Sequence, residues 1–277
     1  MTALAVPEAV VRRSATWVPP TVVVSFVVVV VVLSWSLVPG LFTGQDPARG
    51  VPADKFLGPG GAHWFGTDHL GRDLFARVVH GTASSVTSAL IAVGIAVLLG
   101  GLIGLVAGFL GRWADAVLGR LVDVLLAIPE FLLAVVVVSA LGFQTTNAAI
   151  AVGVSAVGIF ARVMRAEVLK TRRAVFVEAS YLQGGSRWHI LVRHVLPNAS
   201  RSLLSLGVLQ FGYSILLIAS LAFLGFGDPP PASDWGLLVS VGKDYPLAPW
   251  LVYAPALVMI ATVLSVNRIS RWLRRTD

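Results

Sequence analysis

The 277-residue chain contains no cysteine, which excludes disulfide frameworks, thiolate metal centres and cysteine nucleophiles together. Charge is scarce as well. Only 13% of the residues are Asp, Glu, Lys or Arg, about half of the ~25% that a soluble domain carries. With 56% hydrophobic residues and a mean hydropathy of +0.84, the chain cannot cover its surface with polar groups, so lipid is its expected solvent. A nucleotide-binding loop is also missing. The only Gly-Lys pair, Gly242-Lys243, is followed by Asp244 where a G-x-x-x-x-G-K-[ST] loop needs Ser or Thr. The chain therefore lacks a signature for hydrolysing ATP, and any work it does draws on a partner or a gradient. Internal repeats are absent, and the one low-complexity segment is the valine run Val22–Val32.

What is present is apolar sequence in six spans: Pro20–Val38, Ala83–Leu110, Leu121–Leu141, Ala148–Val163, Leu203–Phe223 and Pro249–Ile269. Each approaches the ~20 residues that a bilayer-crossing helix requires, and the sequence predicts an all-α, polytopic membrane protein of six helices. Gly100, Gly104 and Gly108 recur every fourth residue, so they share one helix face where backbones can approach closely. The first span is longer than the apolar core of a signal peptide and has no small-x-small cleavage site before Pro39, so it reads as an uncleaved helix.

The positive charges set an expected orientation. With the N-terminus inside, sixteen of the 21 basic residues fall on the inner side, among them Arg12, Arg13, Arg268, Arg271, Arg274 and Arg275. The outer segments keep five, with seven acids. That asymmetry satisfies the positive-inside rule and the reverse orientation breaks it. Topology thus explains the net charge of +7, and nucleic-acid binding is not needed. The expected division is a cytoplasmic stretch 1–19, a first helix 20–38, an extracytoplasmic segment 39–82, a core of five helices 83–269 and a cytoplasmic end 270–277.

One polar stretch, about Met164–Ser202, lies on the inner side between spans four and five. Phe176–Gln183 lacks helix breakers and Gly184-Gly185 is a natural stop. Ser186 can then cap a second helix, Arg187–Val195, ended by Pro197. On physics alone this is either a docking element or a surface helix whose arginines meet anionic headgroups. Its residues resemble something specific: Glu178-Ala179-Ser180, Gly184 and Leu196-Pro197 stand at the offsets of the "EAA loop" in membrane subunits of bacterial ATP-binding cassette importers. Ser180 replaces an Ala of that pattern, and His194 stands where an aliphatic residue is usual. Phe65–Asp73 (FGTDHLGRD) resembles the FGTDxxGRD signature of dipeptide/oligopeptide permeases. Gly111–Asp115, Arg120–Asp123 with Ala127-Ile128-Pro129, and Phe223–Gly227 with Ser233–Gly236 resemble further shared regions. Together they cover most of the chain from Phe65 onward and resemble the "C"-type permease of that group.

The resemblance implies a type I importer permease fold and a transport subunit rather than an enzyme. Its implied partners are a homologous second permease, two cytoplasmic ATPases that hold ATP and Mg²⁺, and an extracellular solute-binding protein. It implies a multi-pass protein of the bacterial cytoplasmic membrane that imports short peptides, with nickel or another small chelated solute as the alternative. Glu178, Ala179, Ser180, Gly184, Leu196 and Pro197 would couple it to the ATPases. Gly66, Asp68, Gly71, Arg72, Asp73 and Pro129 would be structural signature positions, with Asp68, Arg72 and Asp73 forming an ion-pair cluster. Asp123 and Glu130 are acids in or near span three and hence candidates for the solute path. Glu130 is expected about two turns deeper than Asp123, with Pro129 kinking the helix, and either meets a peptide amino group or pairs with the sister subunit. His63, His69 and His80 match no ligand spacing, so no metal site is expected. The loop Leu224–Ala248 is expected to dip into the membrane or to receive the binding protein. Two rival classes fit less well: an ion-coupled secondary transporter usually shows repeats, and a membrane-embedded enzyme needs a catalytic constellation, which is not seen.

Overall fold

The computed structural model describes residues 19–276, with side chains through Trp272. Arg12 and Arg13 and the side chains of Arg274 and Arg275 lie outside the described residues. The described chain is helical, in the order α1 Pro20–Leu37, α2 Leu74–Leu110, α3 Arg112–Ala127, α4 Glu130–Leu141, α5 Thr145–Arg172, α6 Val175–Leu182, α7 Arg187–Phe223, α8 Trp235–Gly242 and α9 Trp250–Thr276. Five helices are long and apolar enough to cross a membrane singly, and α3 with α4 forms a sixth candidate bent by 94°.

Several boundaries differ from the sequence reading. Helix α2 begins nine residues before Ala83, because Asp73 caps it by accepting a hydrogen bond from the Ala76 N–H at 2.6 Å. The fourth span runs on to Arg172, and the helix that contains span five starts at Arg187. The soluble stretch thus contracts from 39 residues to about Arg173–Ser186. Span three is not one helix: Ile128 and Pro129 are extended (ψ 129° and 131°). Pro129 has no N–H to continue α3 and forces its predecessor out of the helical region.

The glycine stripe gives the relative direction of two of the candidate crossings. A Cβ on Gly100 would meet Val157 and Phe160, one on Gly104 would meet Ala161 and Met164, and one on Gly108 would meet Val168. The contact advances in the same direction on both chains, so α2 and α5 are parallel neighbours. Two parallel helices joined by one connection require that connection to return across the membrane, so α3–α4 together make one crossing. Helix α4 alone has 12 residues and reaches about 18 Å, short of the ~30 Å hydrocarbon thickness. Six crossings put the start of α1 and the end of α9 at the same end of the bundle, where the Arg268 guanidinium donates to Thr21 Oγ1 at 2.8 Å. That end also bears α6.

Helix α5 is the axis of the fold. Ala148, Ala149, Ala151 and Val152 pack against Ala134 and Val138 of α4 and Leu217, Ile218 and Leu221 of α7. Toward its other end Ala156, Phe160, Met164 and Val168 pack against Val177 of α6 and Ile190, Val195, Ala199 and Leu203 of α7. Small residues on α5 let three helices approach it closely, which in lipid replaces the hydrophobic drive available in water. Gly104→Val is therefore expected to force α2 off α5 and cost about 1–3 kcal/mol. Gly94→Ala, whose Cβ would enter open space, is the control; melting of the purified protein reads both.

Candidate functional site

Arg172 ends α5, and its guanidinium donates to the Gly108 carbonyl at 2.8 Å and lies 5.6 Å from the Phe109 ring. The end of α2 is thereby tied to the point where the chain leaves the bundle. Helix α6 then runs Val175–Leu182 and stops in a Schellman turn. The Gly185 N–H donates to Ser180 O at 2.9 Å and the Gly184 N–H to Tyr181 O at 3.0 Å, with Gly184 at φ +85°. Ser186 caps the following helix by accepting from the His189 N–H. The second helix does not end at Pro197. A π turn at Leu191–Val195 widens the coil just before it, the Leu196 N–H bonds five residues back to Leu191 O, and the helix continues to Phe223. The wider turn accommodates the residue that lacks an N–H, so Leu196-Pro197 lie within a rigid rod.

The result is a lever with two faces. Val177, Ile190 and Val195 are fully buried against α5 and α7. The other face carries Glu178, Ala179 and Gly184, all exposed, with Val175 at 81%, Leu182 at 84% and Trp188 at 71% exposure. Glu178 makes no ion pair or side-chain hydrogen bond among the described residues. Ser180 is half-buried, and its carbonyl and hydroxyl lie where a Cβ on Gly185 would fall, so the second glycine is needed for closeness and the first for its dihedral. A Cβ on Gly184 meets open space. Gly184→Ala is thus expected to cost only the left-handed conformation, about 1 kcal/mol, and Gly184→Asn less. Hydrogen exchange of the amides at 175–186 measures the loss.

The acids of the broken span separate. Asp123 pairs with Arg162 at 3.0 Å in the open, and Asp115 is gripped by both Nε and Nη2 of Arg165. Together they tether α3 to the lever end of α5. Glu130, at the start of α4, is half-buried and accepts from Gln210 Nε2 at 3.2 Å. Asp123 and Glu130 therefore belong to different environments on either side of the bend rather than to one helix face.

At the opposite end the signature residues form a buried latch. Asp68 accepts from the Leu70 and Arg72 N–H groups, from Arg72 Nε at 2.7 Å and from Arg77 Nη1 at 2.8 Å. Burial pushes the Asp68 carboxyl up, but the Arg72 and Leu70 backbone donors and the Arg72 guanidinium outweigh it and hold it below the usual carboxylate range. Asp73 does not join the Arg72 pair: it caps α2 and meets His63 Nδ1 at 2.8 Å. Gly66 and Gly71 supply the positive dihedrals of this turn, φ +78° and +74°. Arg77 reaches across to the Ala232 carbonyl at 2.8 Å, and the buried Trp235 donates to Val78 O and Ser85 Oγ at 3.1 Å. The loop Leu224–Ala248 thus wedges α8 against α2, α7 and α9. Burial pushes the Asp234 carboxyl up at the head of α8. His69 stacks on Tyr245, 5.0 Å between ring centres.

Sequence reasoning missed Arg77, Gln210, Arg162 and Arg165 as partners. Arg77 stands in the apolar run Leu74–Val79, within the expected outer segment 39–82. An arginine one turn into a greasy helix is itself a sign of a buried acid nearby.

Comparison with known proteins agrees with this architecture. Residues 100–276 match the family "Binding-protein-dependent transport system inner membrane component". The dipeptide transport system permease protein DppC of Alkalihalophilus pseudofirmus is 38% identical over 235 residues, 84% of this chain and 77% of that protein. The probable D,D-dipeptide transport system permease protein DdpC of Escherichia coli is 35% identical, covering 92% and 86%. The glutathione transport system permease protein GsiD of Pectobacterium atrosepticum is 37% identical, covering 78% and 72%. Among solved structures, the MetNI methionine ABC transporter in inward-facing conformations superposes with a TM-score of 0.59 at 15% identity, over 72% of this chain and 95% of that one. An amino acid ABC transporter gives 0.58 at 15% identity, over 73% and 95%. With six crossings, a lever at one end, and relatives that are membrane components of transporters, the chain belongs to the family of inner-membrane components of binding-protein-dependent transport systems.

Proposed function

We propose that the chain is the permease subunit of an ATP-driven importer that carries short peptides into the bacterial cell, working beside a homologous second permease. The observation that supports this best is the lever. One face is fixed to α5 and α7, while the free face groups the exposed Glu178 carboxylate with exposed Val175, Leu182 and Trp188, a composition suited to a protein partner. Two cytoplasmic ATPase subunits, holding ATP and Mg²⁺, would grip this face and move α5 and α7 as rods. An extracytoplasmic binding protein would deliver the solute near the latch of Asp68, Arg77 and Trp235. The lever end is cytoplasmic in this reading, because the basic residues concentrate there, and with it both chain ends. Peptides are favoured as solute by the names of the relatives above.

The test is uptake of labelled dipeptides, longer peptides and Ni²⁺ in a strain lacking the gene, with affinity purification of the tagged chain. Loss of peptide uptake and recovery of a second permease with two ATPases are expected. Loss of Ni²⁺ uptake alone, or transport by the isolated chain under an ion gradient, would contradict the proposal.

A further inference from the structure

The break in the third crossing lies at mid-depth. Leu125 and Leu126, just before it, face Gly158 at the middle of α5. Gln210, which reaches Glu130, is midway along the stretch Leu196–Phe223 of α7. Ending α3 here leaves its last carbonyls without helical donors. Interrupted backbone at membrane depth is tolerated where it is buried in protein or lines a water-filled path, and broken helices build the midplane solute sites of transporters.

Glu130 is the first residue of the half-helix α4, whose N-terminus favours an anion. Unlike Asp115 and Asp123, each held by an arginine, Glu130 has no cation within ion-pair distance among the described residues. Its partner is the neutral Gln210 amide, itself buried. A carboxylate at this depth without a counter-charge is costly and marks a function. The free N–H groups at the head of α4 and the second N–H of Gln210 are donors, but acceptors and negative charge predominate: two carboxylate oxygens, the Gln210 carbonyl oxygen and the free carbonyls of α3. Such a set matches a cationic group rich in donors, and an ammonium offers three N–H bonds at once. One carboxylate without histidine is a poor site for Ni²⁺, which favours imidazole nitrogen.

We propose that Glu130 is a solute-contacting carboxylate that takes the protonated amino group of the peptide in transit, with Gln210 as the positioning residue that holds it toward the path. This rests on the peptide-importer reading above and adds to it the group recognised. Tyr213, exposed one turn beyond Gln210, lies on the same side of α7.

The test uses the full complex with its binding protein in proteoliposomes. Peptide uptake is measured for wild type, Glu130→Gln, Glu130→Asp and Gln210→Leu, with assembly checked by size. Glu130→Gln is expected to lower uptake about tenfold or more, as for a lost charge-assisted hydrogen bond, in a complex that still assembles. Glu130→Asp should recover most of the rate and Gln210→Leu should lose a smaller part. Unchanged uptake in Glu130→Gln would overturn the inference, and so would separation of the two permeases in that variant, which would make Glu130 an inter-subunit ion pair. Absence of peptide uptake by the wild type would instead refute the peptide reading itself.

Discussion

Arg77→Met is expected to lower the melting temperature of the detergent-purified protein by about 10 °C. Arg77 is 1% exposed, and its guanidinium joins Asp68 on one side to the Ala232 carbonyl on the other. Its removal takes one charge-assisted hydrogen bond from Asp68, which keeps Arg72, and leaves the Ala232 carbonyl without that donor, together about 3–5 kcal/mol, and a chain of this size loses roughly 2–4 °C per kcal/mol. Arg77→Lys should recover only part of this. A single ammonium cannot reproduce the planar fork that spans Asp68 and Ala232. The same substitution should loosen α8, because Ala232 and Trp235 are both anchored on the first turns of α2. Faster hydrogen exchange at 233–243 than in the rest of the bundle checks that consequence. A melting temperature within 2 °C or so of wild type would show that the latch contributes little.

Glu178→Arg should leave folding intact and abolish coupling. The side chain is exposed and has no partner among the described residues, so the stability change should stay within about 0.5 kcal/mol. In the assembled transporter it faces the ATPase in our account, and reversing one partner of an interfacial charge pair costs about 2–5 kcal/mol or more. Uptake is expected to fall more than tenfold, and ATP hydrolysis should no longer respond to solute-loaded binding protein. Purified complex with wild-type uptake in this variant would contradict the account.

Hydropathy made the six crossings legible because each is apolar for most of its length. It could not place their ends. Arg165, Lys170 and Arg172 read as loop residues from composition, yet they continue α5, where Arg165 finds Asp115 and Arg172 caps α2. The reverse error occurred at Arg77, whose partner, the Ala232 carbonyl, lies 155 residues away in sequence. The bend at Pro129 was visible as a kink, but its size was not. Proline removes one hydrogen bond whatever the angle, and across the 94° turn α3 and α4 both pack on α5. At the lever, the turn chemistry of Gly184 and Ser186 is local and was readable. The passage of the helix through Leu196-Pro197 depends on a π turn that no composition rule signals. Glu130 stood out from sequence as an acid in a membrane span, whereas its partner Gln210 lies on a helix 80 residues onward.

The central claim is that an external ATPase works this chain through the exposed face of α6. Because the chain has no cysteine, a single Ala179→Cys carries the only thiol of this subunit. Labelled with a thiol-reactive photocrosslinker in the assembled importer, it is predicted to give an adduct of this chain with an ATPase subunit. The same label at Thr43→Cys, on the far end of the bundle, should give none. An importer that still transports peptide while the label at 179 captures no ATPase would contradict the account.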